Sequence, residues 1–251
     1  MIKADYHMHT TYSDGSGSPE DMVLKAISLG LSEVGISDHS FTSFDTACCI
    51  QQEKMDEYYA EISALREKYK GQIKVLCGIE QDYYSDFPAE GFDYIIGSVH
   101  YLKFDDEYVT VDYTPDILIT AAEKYFGGDI YCLCEEYFKT VSDVVQKTGA
   151  DIIGHFDLIS KLNEKYNLFD EENPRYINAW KAAADKLILT GKPFEINTGA
   201  ISRSYKTEPY PSLEQTEYIK AKGGSFILSS DAHSPENICF FFDKYCDKFN
   251  L

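Results

Sequence analysis

The sequence is poor in positive charge. Its 251 residues carry 23 lysines and arginines against 42 aspartates and glutamates, a formal net charge of −19. A surface of that sign offers no basic track for a long nucleic acid, which sets that class of partner aside. The carboxylates have a bland reading, as a device that keeps a soluble chain dispersed, and a sharper one, as ligands for cations. Apolar runs are short too. Nothing approaches the ~18 consecutive apolar residues of a membrane span. The chain opens Met1-Ile2-Lys3-Ala4-Asp5, with charge where a secretory signal would be apolar, so a cytoplasmic location is expected.

Cysteine is present without a pattern. Seven is an odd number and does not read as a disulfide framework in a chain of this length. Cys132 and Cys134 fall on different faces of an expected helix, and the adjacent Cys48 and Cys49 lack a second pair at zinc-finger spacing. Buried, reduced thiols are the expectation. Internal repeats, low-complexity tracts and long Gly/Ser linkers are missing, which leaves residues 1–251 as one expected domain. There is no G-x-G-x-x-G after the first strand and no Walker loop, so the usual reasons for an open nucleotide-binding sheet fall away.

What the sequence does have is alternation. Short apolar, β-branched runs predict strands over 2–9, 33–37, 73–80, 93–100, 151–155, 194–197 and 225–230. Several are apolar without alternation, as strands buried on both faces should be. Between them, helical patterns cover 19–29, 51–69, 115–126, 130–147, 174–189, 212–221 and 235–249. Pro19, Pro115, Pro174 and Pro235 stand near helix starts, and Gly30, Gly149, Gly191 and Gly223 follow helix ends. The stretch 88–92 is too short for a helix, so one crossover is abbreviated. Repeated strand-then-helix units imply a parallel sheet with right-handed crossovers. The fold class read from this is α/β, a single-domain, seven-stranded (β/α)7 TIM-like barrel.

All six histidines, His7, His9, His39, His100, His155 and His233, lie at or just past the C-terminal ends of these strands. In a β/α barrel those ends open into one mouth, where active sites are built. One such histidine is most simply a satisfied core or loop residue; six on one edge are not. His7 and His9 are two apart on an extended segment and face the same side. The loop Thr10–Gly17 brings Asp14 back over the mouth. The second strand ends in Asp38-His39, and the third in Glu80, a lone carboxylate whose burial is costly unless it is paired or metal-bound. Glycines at 97 and 154 allow close backbone approach beside His100 and His155. Ser230-Asp231-Ala232-His233 again sends two ligands to one side. The candidate ligands are therefore His7, His9, Asp14, His39, Glu80, His100, His155, Asp231 and His233. A single zinc takes about four ligands, so this set calls for two to three divalent transition metals, Zn, Mn or Fe.

These motifs, in this order, resemble the PHP (polymerase and histidinol phosphatase) family over nearly the whole chain. The residues that carry the likeness are Asp5-Tyr6-His7-Met8-His9 with Ser13-Asp14-Gly15, Ile36-Ser37-Asp38-His39, Gly78-Ile79-Glu80, Ser98-Val99-His100, Gly154-His155-Phe156-Asp157 and Ser230-Asp231-Ala232-His233. The resemblance implies a distorted barrel with a trinuclear site. It places His7, His9, Glu80 and Asp231 on one metal, Glu80, His100 and His155 on a second, and Asp14, His39 and His233 on a third. His155-Phe156-Asp157-Leu158-Ile159 and the segment 195–203 look most like the family's histidinol phosphatases.

A phosphate monoester reacts slowly in water, so catalysis must supply a nucleophile and neutralise charge, which a metal cluster does. The expected reaction is hydrolysis of L-histidinol phosphate to L-histidinol and phosphate by a metal-activated hydroxide, a step of histidine biosynthesis. Arg203 is the candidate for bidentate phosphate binding, with Lys161 as a second; Asn197 would bind substrate or order a loop. Asp231 or His233 could protonate the leaving oxygen, as could a metal-bound water. A PHP phosphoesterase acting on nucleotides or short oligonucleotides, a metal-stabilised non-catalytic module and an amidohydrolase are the alternatives. Oligomeric state has no signature in the sequence.

Overall fold

A computed structural model describes residues 3–249. The strands are β1 (Ala4–Asp5), β2 (Glu33–Ile36), β3 (Lys74–Asp82), β4 (Tyr94–Ser98), β5 (Tyr101–Phe104), β6 (Glu107–Thr110), β7 (Ile152–Ile153), β8 (Phe194–Asn197) and β9 (Phe226–Ser229). The helices are α1 (Pro19–Ser28), α2 (Met55–Lys68), α3 (Pro115–Phe126), α4 (Ile130–Val141), α5 (Val144–Thr148), α6 (Asn163–Tyr166), α7 (Pro174–Ile188), α8 (Gly199–Ser202), α9 (Leu213–Ala221) and α10 (Phe242–Phe249).

Seven strands form one sheet in the order β1-β2-β3-β4-β7-β8-β9, and every neighbouring pair is parallel. Just past the two edge strands, Met8 bridges Ala232 in parallel, with His9 N donating to the Ala232 carbonyl at 2.8 Å. That short link nearly closes the sheet into a TIM-like (β/α)7 barrel. The distortion lies here, because β1 has two residues and β7 two, and closure rests on a bridge rather than a ladder.

The elements form where side-chain chemistry allows. Ser18 caps α1 in a reciprocal box with Asp21, with Pro19 at the first helical position. Ser212 and Gln215 repeat the device at α9, and the Asn173 side chain caps α7. The strands carry Val34, Ile36, Val75, Ile79, Ile96, Ile153, Phe194 and Ile196, all with no exposed surface. Outside the sheet, α1 and α2 pack Met22, Val23, Tyr58 and Ile62 on one side, while α4 and α7 pack Phe138, Tyr176 and Trp180 on the other. Among the described residues no helix is long and apolar enough to cross a membrane, and no disulfide joins the cysteines.

Four expectations need correction. Residues 130–147 are not one helix: at Asp143 the backbone tightens to a bond from its N–H to the Thr140 carbonyl, and α4 ends before α5 begins. The 51–69 helix begins as a tight turn at Gln52–Lys54 before α2. The 235–249 helix is a short turn at Pro235–Asn237, then a break where Cys239 and Phe241 both take φ of 57°, then α10. Finally, β5 and β6 form an antiparallel hairpin absent from the expectation. The stretch 83–93 carries no helix, so the crossover from β3 to β4 is the abbreviated one.

Candidate metal centre

All nine candidate ligands, His7, His9, Asp14, His39, Glu80, His100, His155, Asp231 and His233, converge at the mouth formed by the C-terminal strand ends. Local structure explains each. Met8 points into the core with no exposed surface, so its neighbours His7 and His9 turn together to the other side. β3 runs on to Asp82 because Glu80 is paired on one edge with His39 and on the other with Ile96. Its carboxylate thereby reaches the centre of the mouth.

Glu80 is the hub. One oxygen, Oε2, lies 2.7 Å from His39 Nδ1, 3.4 Å from His7 Nε2 and 3.6 Å from His9 Nε2. The other, Oε1, lies 2.8 Å from His155 Nε2 and 3.5 Å from His100 Nε2, and accepts from Ser98 Oγ at 2.6 Å. Asp231 Oδ1 stands 3.2 Å from His9 Nε2 and 3.9 Å from His7 Nε2. Asp14 lies 3.3 Å from His233 Nε2, 3.7 Å from His39 Nε2 and 3.9 Å from His9 Nδ1. Three groups have donor atoms close enough together to share an ion: His7, His9 and Glu80; His39, Glu80 and His100; and His9, Asp14, His39 and His233. His9 and His39 thus each sit between two groups.

The charges in this cavity demand cations. Burial opposes ionisation of Glu80, but His39, His7 and His100 outweigh it and hold the carboxyl well below its usual range. Burial likewise opposes ionisation of Asp231, and Arg203 and His7 overcome it. Asp14 is held down against burial by His233, His39 and His9. His9 is pushed the other way, to about 3, by burial and by its imidazole neighbours His39 and His233, so it presents neutral nitrogens. Burial lowers His39 as well, yet Glu80 lifts it to about 9. A protonated imidazole there fills the role of a positive charge that a metal would supply, displacing the proton as it binds.

Of the residues behind the ligands, Asp38 stands out in the sequence only as part of the Asp38-His39 strand end, and Glu195 and Asp82 are given no role there. Glu195 Oε1 lies 2.7 Å from His7 Nδ1, while its Oε2 accepts from the His155 backbone N–H at 3.1 Å and from Asn197 Nδ2 at 3.1 Å. Asp82 Oδ2 lies 3.2 Å from His100 Nδ1. Asp38 staples the 10–17 loop, accepting from Thr10 N at 2.7 Å, Thr10 Oγ1 at 2.8 Å and Ser13 Oγ at 2.5 Å. A signal existed for two of them. Glu195 is an acid inside a wholly buried strand, the same anomaly that exposed Glu80, and Asp82 follows Glu80 by two residues, on the same side of one strand.

Arg203, just past α8, places Nη2 3.0 Å from Asp231 Oδ2 and Nη1 2.9 Å from His233 Nδ1. It is therefore at the mouth. Lys161 donates to Asp112 Oδ2 at 2.7 Å. Asp112 is held ionised against burial by Lys161 and by His100 and His155, which puts this pair on the same rim. Asn197 has no exposed surface, and its amide bonds to Glu195 and Asp231 while its oxygen accepts from Gly199 N at 2.9 Å. Two glycines are required by proximity. A Cβ on Gly154 would collide with Ser98 Oγ, and one on Gly199 would come within 2.8 Å of the Asp231 side chain.

Comparison with known proteins agrees with this geometry. The PHP domain model matches residues 5–199. A Deinococcus radiodurans protein named as a probable histidinol-phosphatase is 29% identical over 95% of this chain and 89% of its own length. The Bacillus subtilis histidinol-phosphatase is 25% identical over 99% of this chain and 100% of its own. Among solved structures, a Listeria monocytogenes protein superposes with a TM-score of 0.83 at 20% identity, over 97% of this chain and 100% of that one. A histidinol phosphate phosphatase from Lactococcus lactis, crystallised with zinc, L-histidinol and phosphate, gives a TM-score of 0.69 at 24% identity, over 93% and 87% of the two chains. A match across most of the chain, on a barrel whose mouth gathers every histidine it has, establishes membership: the chain belongs to the PHP family.

Proposed function

We propose that this chain, as one PHP-type domain over residues 1–251, is a metal-dependent phosphatase that hydrolyses L-histidinol phosphate to L-histidinol and phosphate. The observation that carries the reading is the convergence of six imidazoles and three carboxylates at one mouth, five of the imidazoles on Glu80 itself, next to a guanidinium. The donor set fits divalent cations. His7 Nε2 and His9 Nδ1 are buried atoms without a hydrogen-bond partner, an arrangement that is costly unless an ion completes it. His7, His9, Glu80 and Asp231 would hold one ion, Glu80, His100 and His155 a second, and Asp14, His39 and His233 a third. The ions, zinc, manganese or iron, would supply a water of lowered pKa and neutralise the phosphoryl charge.

The chain's own groups do the rest. Arg203 is held by Asp231 and His233 at the edge of the carboxylate cluster, where its remaining N–H donors can take phosphate oxygens. Lys161 adds a second positive charge from the facing loop. We place Asn197 among the orienting groups, since its hydrogen bonds all go to neighbours at the base of the site. Of the two candidate side-chain proton donors, Asp231 is kept ionised by Arg203 and His7, which weighs against it as the source of the proton for the leaving oxygen. A small monoester suits a mouth without a basic track beyond these two cations, and seven cysteines without a disulfide suit the cytoplasm.

The test is phosphate release from L-histidinol phosphate against a panel of other monoesters and nucleotides, after reconstitution with each metal. Preference for histidinol phosphate by orders of magnitude is expected; preference for a nucleotide would reassign the substrate. Elemental analysis of protein purified without chelator should give two to three transition metals per chain.

A further inference from the structure

Lys206 is a lysine where lysines are rarely found. Its ammonium side chain is 3% exposed, and the Asp157 carboxylate it faces is fully buried. Lys206 Nζ donates to Ser160 Oγ at 2.6 Å, stands 3.6 Å from Asp157 Oδ2 and lies 4.9 Å above the Tyr210 ring. Buried ion pairs of this kind are a poor source of stability, because desolvation offsets most of the attraction. This one is also incompletely satisfied, with Asp157 Oδ1 and the Tyr210 hydroxyl lacking any hydrogen-bond partner. What the pair does provide is a fixed connection between two loops.

Those loops carry the two cations of the mouth. Asp157 and Ser160 belong to the turn after β7, which begins with His155 and ends with Lys161. Lys206 belongs to the segment after β8, three residues beyond Arg203. Within that segment the backbone folds back on itself, with Tyr205 N and Lys206 N both donating to the Ala200 carbonyl at 2.8 and 3.3 Å. The Tyr205 ring lies 4.9 Å under Lys161 Nζ, a second, exposed-side contact between the same two loops.

We propose that Lys206 is a positioning residue for phosphate binding: clamped to Asp157 and Ser160, it fixes the Arg203 segment against the Lys161 loop, so that both cations meet one phosphate. The proposal rests on the reading of Arg203 as a phosphate ligand. Lys206 itself touches no substrate. Its effect is on geometry, where a displacement of about an ångström costs as much as one to two orders of magnitude in rate or affinity.

The experiment compares Lys206→Met, Ser160→Ala, Arg203→Ala and the Lys206→Met/Arg203→Ala double variant as metal-loaded enzyme. The readouts are KM and kcat for a phosphate monoester, the inhibition constant of inorganic phosphate, and metals per chain. Lys206→Met should raise KM and the phosphate inhibition constant about tenfold while kcat falls much less and metal content stays intact. In the Arg203→Ala background the same change should have little further effect, because there is no guanidinium left to position. Ser160→Ala, which removes the hydroxyl acceptor of the lysine together with that hydroxyl's own bonds to Asp157 but keeps the ion pair, should move KM in the same direction by less, and stands in if Lys206→Met does not fold. Equal losses with and without Arg203, or a fall in melting temperature alone, would overturn the inference. If Arg203→Ala leaves KM unchanged, the phosphate role of Arg203 is lost first and this inference with it; if Arg203→Ala raises KM and Lys206→Met does not, only the inference fails.

Discussion

Carboxylates that never reach the centre of the mouth decide how its imidazoles present themselves. Glu195 holds His7 by Nδ1, leaving Nε2 aimed at Glu80 and Asp231, and Asp82 does the same for His100. Such outer partners fix the tautomer and strengthen the ligand, and their loss typically costs about 10–100-fold in metal affinity. Glu195→Gln should therefore release metal about tenfold more readily in a chelator competition, with little change in circular dichroism; undiminished retention would deny Glu195 that part. Gly199→Ala tests tolerance directly. The added methyl meets the Asp231 side chain and Arg203 Nη2, at 2.8 and 3.0 Å, so activity should drop sharply while the fold survives. At this scale the sequence was informative about the ligands, since histidine and a lone buried acid are conspicuous against apolar strands. It was less so about Lys206 and Asp112, which look like ordinary loop charges until the loops are folded together.

Elements differ in how far their chemistry is local. Parallel strands with central Val and Ile, and helices opened by Ser-Pro or Asn-Pro, declare themselves within a few residues, and their bounds match to within one or two positions at α1, α3 and α7. The β5–β6 hairpin did not. Its two-residue turn is Asp105-Asp106, with Asp105 at φ 54°, and lacks the glycine that usually marks such turns. The break inside 130–147 was equally hidden, since a serine and an aspartate within a helical pattern are common and nothing nearby in sequence marks the tightened turn at Asp143. Loops matter most for the third cation group. The Asp38 carboxylate ties down Thr10 and Ser13 and so helps to hold Asp14 over the mouth, together with the Ser16 bond to the His233 carbonyl. Asp38→Ala should lose one metal per chain ahead of the others, read as a stepwise drop in elemental stoichiometry. Simultaneous loss of all metals would mean that the staple supports the whole barrel instead.

For the molecule as a whole, the mouth concentrates negative charge in a protein already at −19. Ions bound only by the folded state stabilise it by mass action, by roughly 2.7 kcal/mol for each site at a hundredfold excess over its dissociation constant. Removal of metal with a chelator should therefore lower the melting temperature by several degrees, and added zinc or manganese should restore it. A melting temperature insensitive to both would argue against tightly held ions.

The bridge between Met8 and Ala232 has a further consequence in time rather than space. The proposed first ligand group joins segments far apart in sequence, His7 and His9 before β2 and Asp231 after β9. A ribosome that has released everything up to β8 has produced most of the donors but not a closed mouth. Metal capture in its final form must then wait until the segment after β9 has emerged, and a chain cut short before Ser230 keeps five of the six histidines but lacks both Asp231 and His233.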